Sequence, residues 1–157
     1  MVKLADGARD NWDFLSDLDL GLSPTVQARV EQIEIVDFCH AADHLKRGCD
    51  AIWPHDSDKS LAKFESLRTL LKEVDGGADK VIGSFRYYVG RLSGKTKASL
   101  QTELTYFRNQ RPRMDYAAYL RHGLHTLTLS VNIPLVGAKF CLNPNVDSGI
   151  SRPLYCL

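Results

Sequence analysis

The sequence predicts a short α/β unit followed by a run of amphipathic helices, predominantly helical overall, and three observations carry that prediction. Two stretches near the start, Val2-Lys3-Leu4-Ala5 and residues 32–36, are short and strand-like, and each stops at a carboxylate, Asp6 and Asp37. From about residue 40 to residue 122, apolar side chains recur at spacings of three and four, the period of a helix with one buried face. Both the period and the charge are lost at about His125.

The first strand alternates apolar and polar residues and ends on Asp6-Gly7, a pair suited to a strand end and a turn. Its evident partner is the segment 32–36. Between them Asp10-Asn11-Trp12-Asp13-Phe14-Leu15 predicts a short helix whose acidic first turn suits the helix dipole, with Asp10 as its cap. Leu20-Gly21-Leu22-Ser23-Pro24 closes that helix, and the remainder up to Glu31 is a connection or a second short helix. After Asp37 a helix is expected over 40–53, with Leu45, Cys49, Ile52 and Trp53 on its apolar side and Pro54 ending it. Asp56-Ser57-Asp58 then offers an N-cap and an acidic first turn. The helix it opens carries a stripe of Leu61, Phe64, Leu67, Leu70, Leu71 and Val74 and terminates at Gly76-Gly77.

The next helix is expected over 79–92, through Val81, Ile82, Phe85, Tyr88, Val89 and Leu92, with Gly94 as its stop. Thr96 is read as the cap of a fourth, whose stripe is Leu100, Leu104 and Phe107 and which Pro112 breaks. A fifth short segment, 115–122, groups Tyr116, Tyr119 and Leu120. Short connections imply that these helices pack as a hairpin or a bundle. Beyond His125, Thr126-Leu127-Thr128-Leu129-Ser130-Val131 is β-prone, and residues 125–157 hold only Lys139, Asp147 and Arg152 as charges. They read as a poorly specified tail, at most one hairpin, with an edge-strand aggregation risk.

With 157 residues, 44% hydrophobic and 25% charged, the chain has an ordinary globular composition and enough length for one core. A net charge of +1 excludes a chain-wide polyelectrolyte role, but the charge is uneven. Residues 1–20 set Lys3 and Arg9 against five aspartates, whereas residues 86–113 set seven Lys or Arg against Glu103 alone, so a local basic surface is expected. Cys39, Cys49, Cys141 and Cys156 are scattered without a CxxC pair, which points to reduced thiols and a cytoplasmic setting. Lys3, Asp6, Arg9 and Asp10 at the start speak against a signal peptide, and no apolar run is long enough to span a bilayer.

Three segments carry a family resemblance: Asp6-Gly7-Ala8-Arg9-Asp10-Asn11-Trp12, Val36-Asp37-Phe38-Cys39-His40-Ala41-Ala42-Asp43-His44-Leu45, and Glu103-Leu104-Thr105-Tyr106-Phe107-Arg108-Asn109-Gln110-Arg111. In this order the chain resembles bacterial insertion-sequence transposases of the Kra type, over about residues 1–124. The resemblance implies part of an RNase H-like domain (1–53), a large all-α insertion (54–124) and a divergent tail (125–157). It also implies an ancestral reaction, metal-dependent DNA strand cleavage and transfer, in which Asp, Asp and Glu hold two Mg²⁺ or Mn²⁺ ions.

Asp6 matches the second of these carboxylates, as catalytic residue and metal ligand. The resemblance puts the first on an earlier strand than any present here. The Gly- and Glu-containing segment that follows the match to Tyr119-Leu120-Arg121-His122-Gly123-Leu124 in the family is replaced by His125-Thr126-Leu127-Thr128, as a reading-frame shift would produce. With two of three carboxylates missing, the chain is expected to be inactive and to hold no metal stably.

The same resemblance places Asp37 and His40 near the active centre as supporting or positioning residues, and transposon-end DNA and a homo-oligomer among the partners. The alternative for His40 is a helix-start histidine bonded to Asp37 or to the backbone. Arg108, Arg111 and Arg113 follow Tyr106 and Phe107 and suit DNA phosphates, or else a solvated helix end facing the C-terminal dipole. Asp37, Cys39, His40, His44 and Cys49 raise a zinc reading, but they match no standard ligand spacing, and Cys39 lies about 100° round the helix from His40. The alternative to a transposase fragment is a non-catalytic helical module that binds DNA or a protein.

Overall fold

Two short strands separated by a helix-bearing connection pair in parallel, an arrangement that a tight hairpin turn cannot join. In the computed structural model, which describes residues 1–17, 19, 21, 23, 25, 32–124 and 126, β1 (Val2–Ala5) and β2 (Ile33–Val36) pair in this way. Val2 lies opposite Ile33 and Ala5 opposite Val36. Helix α1 (Arg9–Asp17) follows β1 and buries Trp12. Among the described residues, the side of β2 away from β1 is met by side chains and not by a strand. Tyr116 donates its hydroxyl to the Val36 carbonyl at 3.0 Å and Tyr119 donates to that of Glu34 at 3.5 Å.

Helix α2 (Phe38–Ile52) starts two residues earlier than the periodicity suggests. The Asp37 carboxylate accepts from the Cys39 and His40 amides and so caps the helix directly at the strand end. Helix α3 (Ser57–Glu73) is capped by Asp56 as expected, through the Lys59 amide at 2.9 Å. Helix α4 (Gly77–Val89) follows Gly76, whose φ of +65° is a left-handed turn that glycine adopts without strain. Helix α5 (Gly94–Gln110) corrects two expectations. Its cap position is Ser93, and Thr96 sits inside the first turn with its hydroxyl donating to the Ser93 carbonyl. Gly94 opens α5 and does not close α4, which already ends at Val89 with Gly90 as its C-cap. Pro112 lies in the single 3₁₀ turn Arg111–Arg113, and α6 (Tyr116–Arg121) completes the described helices.

The four long helices form a closed ring of neighbours: α2 against α3, α3 against α4, α4 against α5, and α5 back against α2. The connections 53–56, 74–76 and 90–93 are short enough to keep consecutive helices antiparallel. Across the diagonal, Phe85 of α4 lies over Gly48 of α2; a β-carbon on Gly48 would sit 2.3 Å from the Phe85 Cζ. Phe85 also meets Phe107 of α5 edge to face, with ring centroids 5.7 Å apart. One continuous apolar cluster joins Ala5, Ile35 and Val36 of the sheet to Leu45, Leu71, Phe85 and Phe107 of the bundle. A division of the chain after residue 53 falls between α2 and α3, two packed neighbours. Among the described residues no helix is long and apolar enough to cross a membrane. The β-prone tail lies outside the described residues except for Thr126, whose carbonyl accepts from the Phe38 amide at 2.8 Å.

Candidate functional site

Asp6 and Asp37 are the residues that immediately follow the paired strand ends Ala5 and Val36, and the Asp37 amide donates to the Ala5 carbonyl at 2.7 Å. The carboxyl ends of neighbouring parallel strands are where open α/β sheets place ligands. The two aspartates nevertheless do different work. Asp6 is half-buried, and its Oδ1 accepts from the Ala8 amide at 2.9 Å and the Asn11 side-chain amide at 2.7 Å, which turns the chain into α1. Asp37 is 3% exposed, and its Oδ1 accepts from the Cys39 and His40 amides at 2.7 and 3.2 Å. A cap of that kind contributes about 1 kcal/mol, and it fixes where His40 begins its turn.

His40 and His44 stand one turn apart with ring centroids at 5.0 Å. The Tyr106 ring of α5 lies flat against His44 at 3.4 Å and edge-on to His40 at 6.2 Å. Nδ1 of His44 is 2.6 Å from Oε2 of Glu103, and the Arg47 Nε donates to Oε1 of the same carboxylate at 3.3 Å. Glu103 is 8% exposed and half-buried His44 meets it from one side, while Arg47 reaches it from the surface, so the buried carboxylate has the partners it requires. The far end of α5 returns to the Asp6 turn: Gln110 donates its side-chain amide to the Gly7 carbonyl at 2.8 Å. Tyr106 covers Gly7 so closely that a β-carbon there would sit 3.2 Å from the phenol oxygen, at a φ of +88° that already favours glycine.

The electrostatics follow from this packing. Burial holds the His40 imidazole below its ordinary 6.5, the neighbouring His44 adds to that, and Asp6 opposes it. Burial also pushes the Tyr106 hydroxyl up, with Asp6, Asp37 and Glu103 adding to the effect, so the phenol stays protonated. Among the described residues that hydroxyl is buried without a hydrogen-bond partner.

The three arginines separate. Arg111 grips Asp79 with two bonds, Nε to Oδ1 at 2.5 Å and Nη2 to Oδ2 at 2.8 Å. Arg113 donates to Glu34 at 2.6 Å while its guanidinium covers the Trp12 ring at 4.5 Å, which ties the turn after α5 to β2 and α1. Arg108 is exposed and has no ion-pair partner among the described residues.

The zinc constellation is not gathered. Cys49 is fully buried in the core, where burial pushes its thiol up to about 12, while Cys39 is exposed and His44 is committed to Glu103. No group of three His, Cys, Asp or Glu side chains among the described residues is arranged to hold a metal ion. Among the described residues Asp6 and the Asp37 cap are not joined by a third such side chain in a metal-holding group.

Glu103, Tyr106 and Gln110 lie within a motif segment, yet no role for them follows from the sequence alone. A signal for one of them was present: Glu103 is the lone acid among seven cations and falls one turn from Leu100 on the buried stripe of α5. No family model, no curated protein and no solved structure matches the chain.

Proposed function

We propose that this chain is a truncated DNA transposase fragment, comprising part of an RNase H-like core that carries Asp6 and an all-helical insertion, and that it does not cleave DNA by itself. The observation that supports the reading is convergence. The three segments that resemble the transposases are far apart in the chain, yet they meet at one place: Gly7 under Tyr106 and Gln110, and His44 against Glu103 and Tyr106. Asp6 stands there at a strand end, with a histidine helix on one side and the insertion on the other. In the intact family that position is a ligand of Mg²⁺ or Mn²⁺. A lone carboxylate cannot clamp two ions, which is why the fragment is inactive in this proposal.

Two experiments test it. Translation of the next reading frame from about the Leu124 codon is expected to restore a segment containing glycines and a glutamate; a frame without them removes the frameshift as the origin of the tail. Purified protein incubated with supercoiled plasmid and Mg²⁺ or Mn²⁺ is expected to leave the plasmid intact. Nicking that disappears in Asp6→Ala overturns the inactivity. The second reading, a non-catalytic helical DNA-binding module, draws support from Arg108, which is exposed and unpaired among the described residues. It predicts a DNA complex in which Asp6 has no part.

A further inference from the structure

Residues 80–102 contain no Asp or Glu, and the two carboxylates that bracket them are engaged internally, Asp79 by Arg111 and Glu103 by His44 and Arg47. Within that stretch α4 turns into α5 through residues 90–93, with Arg86 in the last turn of α4, Arg91 in the connection, and Lys95 and Lys97 in the first turn of α5. All four are exposed, and among the described residues none forms an ion pair. Lys95 and Lys97 stand in the first turn of α5, where the helix dipole disfavours cations and no acidic residue offsets them, whereas Arg86 in the last turn of α4 suits the dipole there. The chain as a whole carries only +1, so the patch is not a by-product of a basic composition.

The platform beneath these cations is firm. Tyr88 packs against Trp53 at 5.1 Å and anchors the end of α4 to the end of α2. Arg91 lies 3.4 Å over the exposed Tyr87 ring and donates to the Tyr87 carbonyl at 3.0 Å, which holds its guanidinium out at the surface.

We infer that the connecting end of the α4–α5 hairpin, through Arg86, Arg91, Lys95 and Lys97, is the surface that meets the phosphate backbone of duplex DNA. This rests on the DNA reading above and moves its main contact away from Arg111 and Arg113, whose charges are spent within the fold. Charge complementarity argues for DNA: four exposed cations in and at the two sides of one helix connection, in a stretch without carboxylates, suit a dense row of phosphates. An isolated anion would need fewer of them.

The test is fluorescence anisotropy of the full chain with a 30-base-pair duplex across a salt series. Each neutralised phosphate contributes about 0.9 to the slope of log affinity against log salt, so four contacts contribute about 3.6. Arg86→Gln/Arg91→Gln/Lys95→Gln/Lys97→Gln is expected to lower the slope by about 3 to 4, so that wild type loses about a hundredfold more affinity than the variant between 50 and 200 mM salt. Lys95→Gln/Lys97→Gln should lower it by about half as much, and Arg108→Gln by no more than about 1. Circular dichroism verifies that the exposed substitutions leave the helices intact. A wild-type protein that does not bind the duplex overturns both this inference and the DNA reading. Binding that the quadruple variant retains with an unchanged slope overturns the inference alone, as does binding of polyglutamate as tight as that of DNA, which would mark the patch as a site for an acidic protein.

Discussion

Gly48 and Gly83 both lie inside long helices, and the same substitution at the two positions should have opposite signs. In a helix interior, alanine is favoured over glycine by about 1 kcal/mol. At Gly83 of α4 a β-carbon meets nothing within 4 Å, so Gly83→Ala should stabilise the protein by about that amount. At Gly48 of α2 the new carbon would lie 2.3 Å from the Cζ and 2.6 Å from the Cε2 of Phe85. That ring is fully buried and braced by Phe107, so it has nowhere to go without moving a helix. Overpacking of this kind costs about 3 kcal/mol, which outweighs the helical gain and leaves Gly48→Ala destabilising by about 2 kcal/mol.

Urea unfolding followed by circular dichroism reads the difference directly. With a slope of about 1.5 kcal/mol/M, the midpoint should fall by about 1.3 M for Gly48→Ala and rise by about 0.7 M for Gly83→Ala. The pair Gly48→Ala/Phe85→Leu should show a favourable coupling of about 1 kcal/mol or more, because the smaller side chain removes the collision. If both alanines raise the midpoint equally, α4 does not press Phe85 into α2, and the diagonal contact of the bundle is wrong.

Two further outcomes follow from the electrostatics and the burial. His40 keeps a folded value below its ordinary 6.5, so the unfolded chain takes up the proton first and stability should fall as pH drops through the window beneath 6.5. Unfolding midpoints compared at pH 7.5 and 5.5 should show this fall in wild type and a smaller one in His40→Gln; equal falls would remove His40 as the cause. The Cys49 thiol is fully buried and pushed up to about 12, whereas Cys39 is exposed. Alkylation at pH 8 followed by peptide mapping should therefore modify Cys39 in the native protein and Cys49 only after unfolding, and equal modification of both would contradict the burial of α2.

The elements themselves were largely legible along the chain, because local chemistry specifies them. Strand alternation marks Val2–Ala5, Asp56 caps α3, Pro112 lies in the turn that follows α5, and the apolar stripes name most of the residues that became the core, with Leu61 and Leu120 left exposed. Each depends on neighbours a few positions away. The misplaced boundary at 93–96 is local as well: Ser93 and Thr96 are both plausible caps by type, and the backbone chose the earlier one.

Partner choice depends on tertiary structure, since it joins residues that no short-range pattern connects. Arg108, Arg111 and Arg113 look alike in sequence, yet only the fold brings Asp79 to Arg111, and Glu34 and Trp12 to Arg113, while Arg108 stays exposed. Asp6 and Asp37 are both strand-end carboxylates, but Asp37 is consumed in capping α2, whereas Asp6 holds the turn that Gln110 and Tyr106 clasp from the far end of α5. The sequence by itself therefore determined that there would be two carboxylate-tipped strands and a set of helices with buried stripes. Which of those charges face inward was decided only when the chain closed on itself, because the free energy of a buried charge depends on the partner that arrives beside it and not on its own residue type.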